Sequence, residues 1–217
     1  MLLEIERIYV PPGQRVLFAD ITWQEFETIL AELGEHRSSK IAYYNQLLEI
    51  MTPLPEHESD KEIISDLIKD LLEGLDIEFY SLGSTTFKNP DMTGGIEPDN
   101  CFYLQNEAKV RGKKRIDLAV DPPPDLALEI DVTSRTHPDI YATLGVPELW
   151  RFEKGELQIN VLQGQTYVEV EFSPTFPYLP LKETIPQYLQ QVNLRGRNRT
   201  MRAFRAWVRS VNGGIDN

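Results

Sequence analysis

Residues 97–131, EPDNCFYLQNEAKVRGKKRIDLAVDPPPDLALEID, hold two short apolar runs that each carry acids, and their reading decides the fold. The second run, Asp125 to Val132, follows the Pro122-Pro123-Pro124 stop and is dominated by apolar and β-branched residues, which predicts a strand. Side chains on a strand alternate, so Leu126, Leu128, Ile130 and Val132 share one face and Asp125, Ala127, Glu129 and Asp131 the other. A lone acid on an outer face is merely solvated. Unpaired carboxylates are seldom buried, so two acids at spacing two on so apolar a strand point to a cleft.

The first run, Glu97 to Leu104, has the bulk of a second strand in Cys101, Phe102, Tyr103 and Leu104, with Pro98 at its start, where a strand tolerates proline. Asp99 is then expected near the strand start, meeting Glu129 and Asp131 at one sheet edge. Hard cations such as Mg²⁺ take oxygen ligands and keep several waters, so two or three carboxylates plus a substrate phosphate suffice for a site. Such a metal can activate water and neutralise charge on a phosphate.

Further landmarks surround these runs: Ile21-Thr22-Trp23-Gln24-Glu25-Phe26, Met51-Thr52-Pro53 with Pro55-Glu56-His57, Glu97-Pro98-Asp99, Pro124-Asp125-Leu126 leading to Glu129, and Tyr141 with Gly145-Val146-Pro147-Glu148-Leu149-Trp150. In order and spacing, over roughly residues 20 to 160, they resemble the Uma family of the PD-(D/E)xK restriction-endonuclease-like superfamily. The resemblance implies an α/β fold with a mixed central sheet flanked by helices, an added N-terminal helix and hairpin, and C-terminal helices. It also implies metal-dependent hydrolysis of DNA. Asp99, Glu129 and the backbone carbonyl of Ile130 are the candidate ligands of Mg²⁺ or Mn²⁺, and Asp131 a further ligand or general base. A homodimer is the expectation by analogy with the fold, since double-strand cleavage needs two centres.

The chain departs from that pattern at Asp131, where the superfamily carries lysine, and no lysine follows in residues 133–141. Ala42 stands where the family has an early acid. Arg135, His137 and Lys61 are the candidate replacements for the lysine. The alternative is a module that keeps the fold, has impaired catalysis, and binds nucleic acid or a protein partner.

The sequence has 217 residues and a formal charge of −12. That length suits one domain with a proper core. The negative balance excludes binding of nucleic acid through a general positive field, though it leaves room for a local basic patch. Nothing reads as a signal peptide or membrane span, so a cytoplasmic protein is expected. Cys101, the single cysteine, reads as a buried structural thiol, in keeping with a reducing compartment.

Residues 1–19 read as an arm, 20–180 as the restriction-endonuclease-like domain, and 181–217 as a helical extension packed on it. Thr22 and Glu25 form a capping-box pattern before the stripe Phe26, Ile29, Leu30, Leu33, closed by Gly34. Ile41–Tyr44 and Leu47–Met51 flank Asn45-Gln46 as a hairpin, although Gln suits such a turn less well than Asn. A long helix is predicted from Glu56 to Gly74. Its first-turn acids complement the helix dipole, with Glu58 or Glu62 as a further metal-ligand candidate. Asp76–Leu82 and Thr85–Phe87 read as strand segments.

Lys109, Arg111, Lys113, Lys114 and Arg115 crowd the connection between the two acidic runs. Lys113, Lys114 and Arg115, with Arg135, are the candidate DNA contacts. Past a short helix from His137-Pro138, three strands are expected within Glu148–Phe152, Leu157–Leu162 and Thr166–Phe172. Residues 195–209 read as a closing helix with Met201, Phe204 and Val208 inward, its arginines open to DNA or a second subunit. The sequence holds no glycine-rich phosphate loop, cysteine-histidine zinc set or serine nucleophile motif.

Overall fold

A computed structural model of the chain describes residues 8–34, 39–89, 94–131 and 138–215. Its strands are β1 (Arg15–Phe18), β2 (Lys40–Tyr44), β3 (Leu47–Met51), β4 (Tyr80–Ser81), β5 (Phe87–Asn89), β6 (Gly94–Ile96), β7 (Asn100–Tyr103), β8 (Leu126–Asp131), β9 (Glu148–Glu153), β10 (Glu156–Gln163) and β11 (Thr166–Val170). The helices are α1 (Trp23–Leu33), α2 (Pro55–Gly74), α3 (Glu107–Val110), α4 (Pro138–Leu144), α5 (Leu181–Arg195) and α6 (Arg197–Ile215). The architecture is the expected α/β one, with helices on both sides of a mixed sheet.

The strands form a five-stranded sheet ordered β1-β3-β2-β6-β5 and a six-stranded sheet ordered β11-β10-β9-β8-β7-β4. In the larger sheet β8 and β9 pair in parallel, with Leu128 opposite Trp150. A parallel pair needs a crossover, and the segment containing α4 lies between these two strands in the chain. β7 runs antiparallel to β8, Asn100 facing Leu128.

The alternation of β8 explains the layering. Leu126, Leu128 and Ile130 join one core cluster with Leu67, Leu71 and Ile68 of α2, Ile185 of α5 and Phe204 of α6. Ala127, on the opposite face, joins a second cluster with Tyr141 of α4 and with Phe87 and Ile96 of the smaller sheet. So the smaller sheet and α4 cover the face that bears the acids.

Local sequence explains most elements. Thr22 and Glu25 form the full capping box at the start of α1. Asn45 and Gln46 both take positive φ, 49° and 65°, as a two-residue type I′ hairpin turn requires. Phe26 of α1 stacks on Tyr43 with ring centroids 4.6 Å apart. A Cβ on Gly95 would lie 2.9 Å from Phe26 Cζ, so glycine is what lets β6 run beneath α1.

Two expectations change. The apolar run 97–104 is not one strand: β6 ends at Ile96, β7 starts at Asn100, and the chain passes from one sheet to the other through Glu97, Pro98 and Asp99. Proline lacks the N–H a ladder needs, so the break falls there. Within the arm, β1 pairs with β3, Arg15 opposite Met51. The C-terminal helices are as expected: the closing helix α6 is preceded by α5, which includes Pro186. Arg197 pairs with Asp66, and Arg205 Nε donates to Asp70 Oδ1 at 2.9 Å, tying α6 to α2 while both side chains stay half exposed.

Candidate active site

The crossing of residues 97–99 between the sheets sets the geometry of the centre. Asp99 leaves its strand run just before β7, and its backbone N–H donates to the Leu128 carbonyl at 3.1 Å. That bond pins its side chain over β8. The carboxylate is fully buried, and Oδ2 accepts from the Ile130 N–H at 2.7 Å. His57 Nε2, from the first turn of α2, lies 3.1 Å from the same oxygen. Oδ1 is taken by the ammonium of Lys40, at the start of β2, whose side chain is 14% exposed.

Glu129 shares the face of Ala127, and its Oε1 accepts from the hydroxyl of Tyr141 on α4. Asp131 lies on the same face but turns to Arg151 on β9, which reaches its Oδ2 with Nε at 3.0 Å and Nη2 at 2.5 Å. The strand therefore presents two acids with different partners, one hydroxyl-bonded and one bound to a guanidinium.

Electrostatics follow from burial and these partners. Burial alone would raise the Asp99 carboxyl, but the Lys40 ammonium and the His57 ring outweigh it and hold the group well below the usual carboxylate range. Burial pushes Glu129 well above its ordinary value, with the Asp99 charge adding to the effect and Lys40 and Tyr141 opposing it. Lys40 loses by desolvation but gains more from Asp99, then Glu129, and is raised. Burial also raises the Tyr141 phenol and takes the Cys101 thiol up to about 12, an inert structural cysteine.

A divalent ion needs several oxygens free to turn toward it. Here Lys40, His57 and the Ile130 amide engage both oxygens of Asp99, and Arg151 engages Asp131. Among the described residues, no three His, Cys, Asp or Glu groups are placed to hold a metal ion. In this arrangement the donor set does not fit the metal that the resemblance implies. Ile130 meets Asp99 through its backbone N–H.

The other candidates are placed as follows. Glu58 pairs with Lys61 and lies 3.3 Å from His57 Nδ1. Lys61, Glu62, Ser65 and Lys69 of α2 line a cleft of about 540 Å³ together with Asp99, Asn100, Phe79, Ser81 and Ser84. Lys113, Lys114 and Arg115 are exposed, but their loop leaves the distal end of β7, beside Asp125. Asp125 and Glu129 are four residues apart, about 13 Å along a strand. Lys113 is paired with Asp121 and Arg111 with Glu107. Arg135 and His137 lie outside the described residues, as does His36.

Sequence reading missed Lys40 and Arg151, and read His57 only as part of a helix start. Lys40 had one legible signal: on β2 it shares a face with Ala42, the position of the family's early acid. Nothing local marks its partner, 59 residues away.

Comparison with known proteins agrees with this architecture. The sequence profile of the Uma2 family, described as putative restriction endonuclease, matches residues 23–195. A crystal structure of a putative nuclease belonging to DUF820 from Anabaena variabilis superposes with a TM-score of 0.56 at 14% identity, covering 78% of this chain and 99% of that one. At that identity the likeness is one of fold. No curated protein sequence matches the chain.

Proposed function

The chain belongs to the Uma2 family of restriction-endonuclease-like proteins, and from that premise we propose that it binds nucleic acid beside an acidic centre held shut by its own side chains. The observation that carries this reading is the full engagement of Asp99 by Lys40, His57 and the Ile130 amide. The cleft over Asp99 is the proposed seat of a nucleic-acid strand. Lys61 and Lys69, paired within the helix with Glu58 and Asp66, stand eight residues apart on one face of α2 and form a two-rung ladder about 12 Å long, with Ser65 buried between them. Phe79 across the cleft supplies an aromatic surface of the kind on which bases stack. A net charge of −12 makes such a local ladder, rather than a general field, the source of attraction for phosphate.

Fluorescence anisotropy with labelled oligonucleotides, run beside plasmid incubation in Mg²⁺ or Mn²⁺, tests the reading. Salt-sensitive binding weakened by Lys61→Gln with Lys69→Gln, and no plasmid cleavage, is the expected result. Absence of binding overturns it.

The second reading is a Mg²⁺- or Mn²⁺-dependent endonuclease, acting as a homodimer, with Asp99, Glu129 and Asp131 at its centre and Lys113, Lys114, Arg115 and Arg135 as further DNA contacts. One observation favours it: Lys40 brings an ammonium to the acid pair from another strand, where the acid-x-acid motif lacks one. Plasmid cleavage that Asp99→Ala abolishes would establish this reading in place of the first. Cleavage that survives the substitution marks a contaminant. Among the described residues no helix is long and apolar enough to cross a membrane.

A further inference from the structure

The mismatch between the donor set and a divalent ion has a specific cause in this chain, and following it requires only the charges at the centre. Asp99 and Glu129 are both buried, Asp99 with no exposed side-chain surface. Buried carboxylates so placed need positive charge or protons. A fold that leaves them unpaired creates a seat for a cation.

We infer that the ammonium of Lys40 is the resident cation of this centre, occupying by covalent attachment the place where a divalent ion would bind, so that the seat takes metal only when that ammonium is removed. The inference rests on the same closed geometry as the proposed function but concerns metal binding, which is measured independently of nucleic acid.

Several features support it. Lys40 is anchored by its backbone at the start of β2, opposite Met51, so its stem is fixed over the centre. Its ammonium sits on Asp99 Oδ1, the oxygen that His57 and Ile130 leave uncovered. With Lys40 in place, Asp99 is neutralised by one fixed charge, and Glu129 is held by the hydroxyl of Tyr141. An incoming ion would have to expel a tethered ammonium, and two positive groups sharing one oxygen repel. Arg151 already engages Asp131 in the same manner, so the next acid along β8 is also committed within the chain.

The test is Mn²⁺ binding to the full chain, read by titration calorimetry and by electron paramagnetic resonance of free Mn²⁺. Wild type is expected to show no binding that saturates within about ten times the Lys40→Ala dissociation constant. Lys40→Ala is expected to bind one equivalent, at least about tenfold tighter than wild type, with a melting temperature that climbs as Mn²⁺ is added, because an ion that binds only the folded state stabilises it. Lys40→Arg, which keeps the positive charge, is expected to behave as wild type. Adding Asp99→Asn to Lys40→Ala should abolish the gain. Should Lys40→Ala fail to fold even with Mn²⁺, Lys40→Gln serves under the same criteria. Saturable binding by wild type as tight as by the variants overturns the inference, and so does a folded Lys40→Ala or Lys40→Gln that binds nothing. Neither result bears on whether oligonucleotides bind, so the two proposals fail separately.

Discussion

The two faces of β8 are built from the same six residues by different rules. On one face Leu126, Leu128 and Ile130 meet α2, α5 and α6, and any hydrocarbon of suitable shape satisfies them. On the other, Glu129 and Asp131 need named partners: Tyr141 on α4 for the first, Arg151 on β9 for the second. The first kind of packing is non-directional and forgiving, whereas the second depends on single atoms delivered from elsewhere in the chain.

Substitutions that act on one face alone separate these rules. Arg151→Met is expected to have the largest effect, costing roughly 3–5 kcal/mol in urea unfolding, because it leaves the buried Asp131 without its guanidinium. Combining it with Asp131→Leu should recover most of that loss, since removing both charges together removes the unpaired one. If the single and double variants are equally unstable, the contrast between the faces is not electrostatic. Leu128→Ala, on the apolar face, should cost about 2–5 kcal/mol by the same measurement, with no charged partner able to restore it.

The acid beside the centre gives a pH-dependent prediction whose sign can be worked out. The folded Glu129 carboxyl is raised above its unfolded value of about 4.3, so the stability it contributes is fully present below that pH and is lost as pH rises through the folded value. Asp99 runs the other way: its lowered carboxyl contributes above about 3.9 and loses that contribution as the solution is acidified. Glu129→Gln should therefore gain on wild type as pH climbs above the unfolded glutamate value, and Asp99→Asn should lose most where wild-type Asp99 is ionised. Urea midpoints across a pH series check both. Parallel curves for Glu129→Gln and wild type would mean that this carboxyl is not held toward its neutral form. The smallest effect is expected far from the centre, where Thr22→Ala removes the α1 cap and should cost about 1 kcal/mol.

What was legible in the sequence follows the same division. The capping box of α1, the two-residue turn at Asn45-Gln46, the α2 stripe and the alternation of β8 are local patterns, and each has its counterpart in the structure. The break of the 97–104 run was harder to see, because Ile96 and Cys101 to Leu104 look continuous until the strands are assigned to different sheets. The candidate site was half legible. Asp99, Glu129 and Asp131 carry their signal in the spacing of acids on apolar runs. Lys40 and Arg151 do not, because a lysine at a strand start and an arginine in a strand are ordinary until the fold brings each against a carboxylate, and Tyr141, a landmark of the resemblance, shows nothing of its pairing with Glu129.

The hairpin turn at Asn45-Gln46 reaches further than its position suggests. Both residues adopt left-handed backbone angles, and they fix which rung of β2 faces which rung of β3. A slip by one residue would invert every side chain on β2. The Lys40 ammonium would then swing toward the opposite side of its sheet and Asp99 would lose its counter-charge, so the turn acts as a remote guardian of alignment for chemistry it never touches.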